Sequence, residues 1–508
     1  MELQSLLKST FSLLQETREN LEPRLTVNEV GSVKFISQSI AWVTGLRGVK
    51  AEEILLFEGG LRGIAFNIDA DEVGVILLGE STFLKAGSDV YRTGEILQVP
   101  VGEKLIGRVV DALGEPIDHG PAIVTLQRRP IEAEAPGIMQ RSPVVTPLFT
   151  GVKVIDALIP IGKGQRELIL GDRQSGKTAL AIDTIINQCD KDVICIYCTI
   201  GQQNSAVARI IAELKSHGAM SYSIVVATAG ESPPGLQFIA PYAAMTMAEH
   251  FMNKGLDALV VFDDLTKHAW AYREISLLLN RPPGREAYPG DIFYIHSRLL
   301  ERSTHLRKEL GGGSLTALPI VEVEAQNISA YIPTNLISIT DGQIYLSPSL
   351  FERGVLPAVD VGKSVSRVGG KTQFPTYRKI AGDLRLAYSQ FEELESFVKF
   401  GTRLDAKTQE TIHHGKRVRE VLKQHLHDTL SAAQQIAIFI ALNHGILDGV
   451  DLEDIVDVEK NICATFHREL PKIYKKINCG ENITEEEVQQ IVDIAKAVVD
   501  GDDHGKYE

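Results

Sequence analysis

The chain has 508 residues, of which 44% are hydrophobic and 23% are charged, and its formal net charge is −14. This length predicts about three domains, and the acidic balance argues against a nucleic-acid groove, which needs a concentrated positive field. No apolar run approaches the roughly 18 residues of a membrane span, and the N-terminus lacks the apolar core of a secretory signal. We therefore expect a soluble, cytosol-facing protein that binds no nucleic acid.

Residues 1–22 carry apolar side chains at helical spacing, from Leu3 through Phe11 to Leu14. This spacing predicts an amphipathic helix ahead of the first domain. The helix could fold back on its own domain, but its position at a terminus favours docking to a partner.

Short apolar runs alternate with glycine turns over residues 23–95, for example at Val33–Ile36 and Val73–Leu78. Closely spaced strands with turn signals predict a small β-barrel or sandwich. The segment has no catalytic constellation, so we expect a structural role.

Strand and helix patterns alternate over residues 96–375, which predicts a mostly parallel sheet covered by helices. Ligands of such sheets bind at the carboxyl ends of the strands. Gly171, Gln202 and Asp263 fall at predicted strand ends. The chain then loses its strand pattern, and residues 376–508 predict a helical bundle. The predicted helices of the bundle are Leu384–Phe400, Thr408–Leu426, Ala432–Leu442 and Glu485–Val499.

A glycine-bounded loop with the pattern GxxxxGK[ST] follows the apolar run 168–170 and opens a helix-like segment. Backbone N–H groups and a helix N-terminus make such a loop a phosphate cradle. The lysine would reach the outer phosphates and the threonine hydroxyl would lie on Mg2+. The alternative is a glycine turn that happens to precede a lysine. The candidate nucleotide-binding residues are Gly171, Asp172, Arg173, Gln174, Ser175, Gly176, Lys177 and Thr178.

Asp263 follows four apolar residues at a strand end, where a carboxylate can hold the hydration shell of Mg2+. The next residue, Asp264, points to the other side of the strand and is the weaker candidate. A pair of solvated acids is the alternative. Thr178 and Asp263 are thus the candidate metal residues.

Hydrolysis also needs a group that orients or deprotonates water. The strand after the phosphate-loop helix ends at Gln202, which could position water or touch Mg2+ but cannot accept a proton as a carboxylate can. Glu231 is a possible substitute. The residues favour nucleotide binding without efficient turnover.

Arg367 stands just before the paired glycines Gly369 and Gly370. A guanidinium is a rigid, permanently charged donor suited to a phosphoryl transition state. From the residues alone, a surface salt bridge is an equally good interpretation.

At these motifs the chain resembles the α subunits of F-type ATP synthases. The phosphate loop and the helix after it carry the resemblance, together with several more specific blocks. These blocks are Asp263–Leu265, Arg281–Gly290, Ser297–Arg302, Gly313–Pro319, Thr340–Gln343 and Ser364–Gly369.

The resemblance implies a ring of three α and three β subunits around a central γ stalk, in an ion-translocating ATP synthase. In that family α holds a non-catalytic Mg-ATP and lends an arginine to the catalytic site of the adjacent β. The Ser-Val-Ser-Arg segment carries that role to Arg367, with Ser364 beside it, and Gln202 replaces the catalytic glutamate of β. Pro357 and Gln424 would seat the base.

The resemblance also implies a place for each domain. The barrel would form the crown of the ring and the bundle would face the stalk. The N-terminal helix would dock on the peripheral-stalk subunits δ and b. The chain would then be peripheral at the cytoplasmic face of the bacterial inner membrane, which it reaches only through the membrane sector.

The chain departs from the family pattern at several positions. Gln203 and Asn204 stand where a basic residue usually follows, Leu356 replaces an arginine beneath the base, and Leu426 replaces one of two glutamines. Loss of arginine stacking costs about 1–2 kcal/mol. The sequence therefore predicts a nucleotide held more loosely or less base-selectively than in the family.

Three other functions fit parts of the pattern. A self-sufficient hexameric export ATPase would need a glutamate at position 202. An RNA-translocating helicase of the Rho type would need a basic lumen and a stacking platform for bases. A structural ring subunit without nucleotide would not need Lys177, Thr178 and Asp263.

Overall fold

The structure is a computed structural model, and it describes residues 29–125, 127–398 and 406–505. The helix predicted over residues 1–22 lies outside the described residues. The chain divides into two compact units, residues 1–96 and 97–508. Of the helices that the structure describes, none combines the length and apolar character needed to cross a bilayer.

The first unit contains a closed six-stranded barrel in the order β1-β2-β5-β4-β3-β6. Neighbouring strands are antiparallel. Alternate side chains point inward and are buried, among them Val43, Leu55 and Val75. The predicted β-barrel is confirmed. Its strands are β1 (Val30–Ile36), β2 (Ile40–Thr44), β3 (Glu53–Phe57), β4 (Arg62–Ile68), β5 (Glu72–Leu77) and β6 (Asp89–Ile96).

The second unit is built on an eight-stranded sheet in the order β18-β17-β12-β16-β15-β13-β14-β8. Only the β17–β18 pair in it is antiparallel, among the described strands. Its central strands are continuous apolar runs because helices cover both faces. The strands are β8 (Val109–Val110), β12 (Leu168–Gly171), β13 (Val193–Gln202), β14 (Ser223–Ala229), β15 (Asp257–Asp263), β16 (Ser314–Glu322), β17 (Gly342–Leu346) and β18 (Val365–Ser366). The short strands β7 (Gln98–Pro100), β9 (Arg128–Pro130), β10 (Pro147–Leu148) and β11 (Ile161–Gly162) form two separate two-stranded sheets.

Helices flank this sheet and make up the C-terminal part of the chain, as predicted. Those of the sheet region are α1 (Lys153–Leu158), α2 (Lys177–Ile186), α3 (Asn204–Ser216), α4 (Pro234–Met252), α5 (Leu265–Leu278), α6 (Ile292–Leu300), α7 (Tyr331–Ile339) and α8 (Pro348–Glu352). Those that follow are α9 (Pro375–Val398), α10 (Ala406–Val421), α11 (Ala432–Asn443), α12 (Ile455–Glu469), α13 (Pro471–Asn478) and α14 (Glu485–Gly505).

The predicted helix Thr408–Leu426 is wrong at its end, because α10 stops at Val421. The backbone N–H of Gln424 donates to the carbonyl of Leu356 at 2.8 Å instead of continuing the helical ladder. His427 has a φ of 65°, in the left-handed region. Residues 422–430 therefore form a loop, and Gln424 and Leu426 lie in it.

A buried ion pair joins α1 to α12. The Lys153 ammonium lies 2.6 Å from a carboxylate oxygen of Glu459, and the two side chains are 2% and 9% exposed. Burial raises the pKa of Glu459 to about 7, against the opposing effect of the nearby ammonium. The contact ties the helical region to the start of the nucleotide-sheet region, and its strength depends on both charges being present.

Removing one partner of this pair is expected to be costly. Lys153→Met should lower the free energy of unfolding at pH 8 by about 3–5 kcal/mol, because a carboxylate is left buried without a counter-ion. The loss should shrink at pH 5.5, where Glu459, with its raised pKa, is protonated in the folded chain. Urea unfolding at both pH values measures the difference.

The matched control is Lys254→Met, which removes an exposed pair with Glu103 and should leave stability unchanged. A double substitution, Lys153→Met with Glu459→Leu, should recover most of the loss. An equal loss for Lys153→Met at both pH values would contradict the ion-pair interpretation.

Candidate functional site

The glycine-bounded loop connects the end of β12 to the start of α2. A Cβ on Gly171 would lie 2.8 Å from the carbonyl oxygen of Leu346, so only glycine fits there. Gly176 has a φ of 98° and Gln174 a φ of 62°, which turn the backbone into the helix. The Asp172 carboxylate fixes the loop from outside by accepting from the backbone N–H of Gln326 at 3.1 Å. The strand-loop-helix context that the sequence predicts is present.

The polar side chains of the loop differ in exposure. Lys177 is 9% exposed and donates to the carbonyl oxygens of Gly171 and Asp172, at 2.8 and 2.5 Å. Burial lowers the pKa of Lys177, while nearby carboxylates, Glu322 foremost, act in the opposite direction. Ser175 is buried, and its hydroxyl has no hydrogen-bond partner among the described residues. Arg173 and Gln174 are exposed.

The carboxylate of Asp263, at the end of β15, connects the loop to the neighbouring strand. One oxygen accepts from the Thr178 hydroxyl at 2.9 Å and from the Tyr197 hydroxyl at 2.7 Å. The other accepts from Nε2 of Gln202 at 3.1 Å. Sequence reasoning missed Tyr197. The sequence predicts that Tyr197 lies in a buried strand, but its contact with Asp263 depends on the pairing of β13 with β15.

Gln202 is held at both ends of its amide. Its oxygen accepts from the Lys267 ammonium at 3.1 Å, and Lys267 also donates to the carbonyl of Gly201. Lys267 is a second residue that the sequence did not single out. Asp264 instead caps α5, accepting from the backbone N–H of Lys267 at 2.8 Å. Glu231 is exposed in the loop after β14.

A cavity of about 350 Å³ opens beside the loop. It is mainly apolar, as the ligand pockets of proteins generally are. Pro357, Leu356, Gln424 and Leu426, which the sequence singled out, all line it. The remaining lining residues are Val152, Ser175, Gly176, Ala179, Leu180, Asp183, Leu346, Phe351, Ala358 and His425.

The amide of Gln424 is committed to the backbone around it. Its oxygen accepts from the N–H of Lys153 at 2.9 Å, and its nitrogen donates to the carbonyl of Gly151 at 2.8 Å and to that of Asp428. Gln424 therefore fixes the loop that borders the cavity, and a direct contact with a base stays a prediction.

Arg367 lies at the opposite edge of the sheet from the phosphate loop. Strand β18 pairs with the first residues of β17, Gly342 with Ser366, whereas the loop begins where Gly171 pairs with Leu346 at the far end of β17. Gly342 and Leu346, the two ends of β17, are about 13 Å apart at about 3.3 Å per residue. Arg367 is exposed there, and its guanidinium donates to the carbonyl of Ile337 at 3.1 Å.

Ser364 supports this segment from inside. It is 8% exposed, and its hydroxyl donates to the carbonyl of Asp360 at 2.6 Å and accepts from the N–H of Tyr345 at 2.9 Å. The backbone N–H of Arg367 donates to the backbone carbonyl of Asp341 at 2.8 Å. Ser364 thus fixes the strand from which the arginine projects, and its hydroxyl is used within the chain.

Comparison with known proteins identifies three matching domain models of one family. The nucleotide-binding domain of the ATP synthase alpha/beta family matches residues 151–366, its beta-barrel domain residues 26–94 and its C-terminal domain residues 373–498. The chain is 60% identical over 492 residues to ATP synthase subunit alpha 2 of Syntrophotalea carbinolica, covering 97% of this chain and 94% of the relative. It is 58% identical to subunit alpha 2 of Syntrophus aciditrophicus, covering 98% and 96%. It is 55% identical to subunit alpha 1 of Marinomonas sp., covering 98% of each chain.

Lys177→Ala should weaken ATP binding to the purified chain by about 10- to 100-fold, the equivalent of roughly 1.5–3 kcal/mol for a hydrogen bond to a charged group. Isothermal titration calorimetry measures it. Lys215→Ala, an exposed lysine at the end of α3, is the control and should bind ATP normally. Unchanged affinity in Lys177→Ala would remove the lysine from the site.

Proposed function

The chain belongs to the ATP synthase alpha/beta family, as one of its alpha subunits, and we propose that it holds Mg-ATP without rapid hydrolysis. We further propose that Arg367 reaches into the catalytic site of an adjacent β subunit. The chain is part of an ATP synthase complex and binds nucleotide in its central domain. The observation that carries the proposal is the position of Arg367 at the sheet edge remote from the chain's own phosphate loop.

The donor set around the loop fits Mg2+. This ion takes hard oxygen ligands, usually one or two from protein together with phosphates and waters. The Thr178 hydroxyl and the Asp263 carboxylate, 2.9 Å apart, are such oxygens. No cluster of three or more metal-binding side chains is present in the part of the chain that the structure describes. Thr178 would bind Mg2+ directly and Asp263 partly through water.

The surroundings of Gln202 argue against turnover on this chain. A general base must accept a proton, and the amide at this position cannot. Its nitrogen is bound to Asp263 and its oxygen to Lys267, so it is held as a neutral positioning group. Asp264 is used as a helix cap. These contacts support binding without efficient hydrolysis.

Arg367 is suited to act in trans. Its exposed guanidinium could reach a phosphate held by an adjacent subunit, where a planar, permanently charged donor stabilises developing negative charge. Ser364 would act as a positioning residue through its bonds to Asp360 and Tyr345.

The remaining assignments follow the family. We propose an alternating ring with three β subunits, contact with central-stalk γ, and docking of residues 1–22 on peripheral-stalk δ and b. The domains would be 23–95 as crown, 96–375 for nucleotide and 376–508 facing the stalk. The chain would be peripheral at the cytoplasmic face of the bacterial membrane. A self-sufficient export or nucleic-acid-translocating ATPase is not favoured, since full-length relatives are alpha subunits.

Arg367→Ala should lower steady-state ATP hydrolysis by about 10³-fold or more in a complex reconstituted with β and γ, the range measured for arginine fingers. Arg367→Lys should recover only part of it, because an ammonium lacks the planar fork. ATP binding to the isolated chain should be unchanged in both variants. Arg468→Ala, an exposed arginine with 72% side-chain exposure, is the control.

Survival of hydrolysis in Arg367→Ala would disprove the assignment in trans. Rapid hydrolysis by the isolated chain would disprove the non-catalytic assignment.

Restoring the family residues at the cavity should tighten binding. Leu356→Arg combined with Leu426→Gln is expected to slow ATP release from the purified chain about tenfold, since a guanidinium stacked on the base contributes about 1–2 kcal/mol. Both leucines are exposed at the cavity rim, 44% and 55%, so the larger side chains can be accommodated. Stopped-flow release of a fluorescent ATP analogue measures the rate. Leu452→Arg, at an exposed leucine outside the cavity, should release at the wild-type rate.

A further inference from the structure

Glu167 is a buried acid that packs against the strand pair leading to Arg367. It comes directly before β12 and is 0% exposed. A Cβ on Gly342 would lie 2.5 and 2.7 Å from its two carboxylate oxygens. Gly342 pairs with Ser366, the last residue of β18. The acid therefore lies against the backbone from which Arg367 projects.

The side chain of Gln165 connects this acid to β18. Its oxygen accepts from the backbone N–H of Gly162 at 2.8 Å, so the opposite end of the amide is the NH2 group. That group donates to Oε2 of Glu167 at 2.7 Å and to the hydroxyl oxygen of Ser366 at 3.2 Å. Both hydrogens of the amide are thus used, and Oε2 of Glu167 must be an acceptor.

The Ser366 hydroxyl extends these contacts to both sides of Arg367. It donates to the carbonyl of Pro160 at 2.7 Å and accepts from the backbone N–H of Gly369 at 3.2 Å. The backbone N–H of Arg367 itself donates to the carbonyl of Asp341 at 2.8 Å. Polar contacts therefore fix the backbone before and after Arg367, while its side chain stays exposed.

The surroundings of Glu167 favour its neutral form. Oε1 is buried and has no hydrogen-bond partner among the described residues, and a carboxylate buried in this way is costly. Burial raises the pKa of Glu167 well above its usual value, and the Asp341 carboxylate adds to the rise. The hydrogen bond from Gln165 and the charge of Arg367 act in the opposite direction. A neutral acid at this position leaves the positive charge of the arginine uncancelled.

We propose that Glu167 is a positioning residue for Arg367 and that it acts as a neutral acid. Its hydrogen bonds through Gln165 and Ser366 hold the backbone of the arginine, so that the guanidinium meets a phosphate on an adjacent subunit in a fixed geometry. The inference rests on the proposed function, because it requires Arg367 to act on the site of another subunit.

Glu167→Met removes the acceptor for Gln165 and keeps a side chain of similar length. In the complex reconstituted with β and γ, it should lower kcat for ATP hydrolysis about 10- to 100-fold, the effect of misplacing an acting group by about 1 Å. The KM for ATP should change by less than about twofold, because the arginine would act mainly in the transition state. Glu167→Gln keeps a neutral acceptor and should retain kcat within about twofold. Glu453→Met, at an exposed glutamate, is the control.

The Arg367→Ala background separates positioning from a general structural role. If Glu167 acts only through the arginine, Glu167→Met should not lower the residual hydrolysis of Arg367→Ala any further. Ser366→Ala breaks the same chain of hydrogen bonds one step later and should behave like Glu167→Met in both backgrounds. It decides the question if the methionine variant does not assemble. ATP binding to the isolated chain should be unchanged, since the phosphate loop lies at the other end of β12.

Wild-type kcat in Glu167→Met or in Ser366→Ala would overturn the inference. A further loss of the same size in the Arg367→Ala background would also overturn it, because that is the effect of a structural residue. So would an equal loss in Glu167→Gln and Glu167→Met, because the acid would then act through its charge. Failure of the proposed function is seen separately, as full hydrolysis in Arg367→Ala alone.

Discussion

The carboxylate of Asp263 is the interaction on which the rest of the site depends. It is 3% exposed, and a buried charge of this kind must be hydrogen-bonded to persist. Its three donors, Thr178, Tyr197 and Gln202, come from the phosphate-loop helix and from the adjacent strand. The same contacts fix the hydroxyl that would face Mg2+ and the amide that would face the outer phosphate. The hydrogen bonds that satisfy this buried acid therefore also position the polar groups that would contact a nucleotide. Because these side chains are already ordered, binding would carry a smaller entropic cost.

The sheet separates the phosphate loop from Arg367. Parallel strands bring their carboxyl ends to one edge, where the loop and Asp263 lie. The antiparallel strand β18 runs back toward the other edge, where Arg367 follows its last residue, Ser366. A buried acid, Glu167, is 0% exposed at that edge, and the charge of Arg367 partly offsets the burial that raises its pKa. Under the proposed function, one sheet would bind a nucleotide at one edge and present a cation to a neighbour at the other, with no contact required between the two functions.

Local patterns in the sequence were enough to predict the barrel, the parallel sheet, the phosphate loop and the position of Asp263 at a strand end. Each depends on periodicity or on a motif within a few residues. Tyr197 and Lys267 could not be found in this way, because their contacts arise from the register of separate strands and from the start of α5. The end of α10 was missed for a related reason. Its polar and apolar pattern continues past Val421, but a backbone bond to Leu356, distant in sequence, competes with the helical ladder.

The loop 422–430 borders the cavity and bonds to the part of the chain that forms the sheet. Gln424 bonds to Leu356 and Gly151, and the N–H of Leu430 donates to Gly151 at 3.0 Å. His427 bonds to Asp183 on the phosphate-loop helix. The loop belongs to the helical part of the chain, yet these partners, Leu356, Gly151 and Asp183, belong to the sheet part. Any ligand that fills the cavity contacts both sides and must stabilise their packing, because a ligand that binds only the folded arrangement shifts the equilibrium toward it. Nucleotide on this chain would therefore strengthen the junction of sheet and helices, a structural effect that needs no hydrolysis.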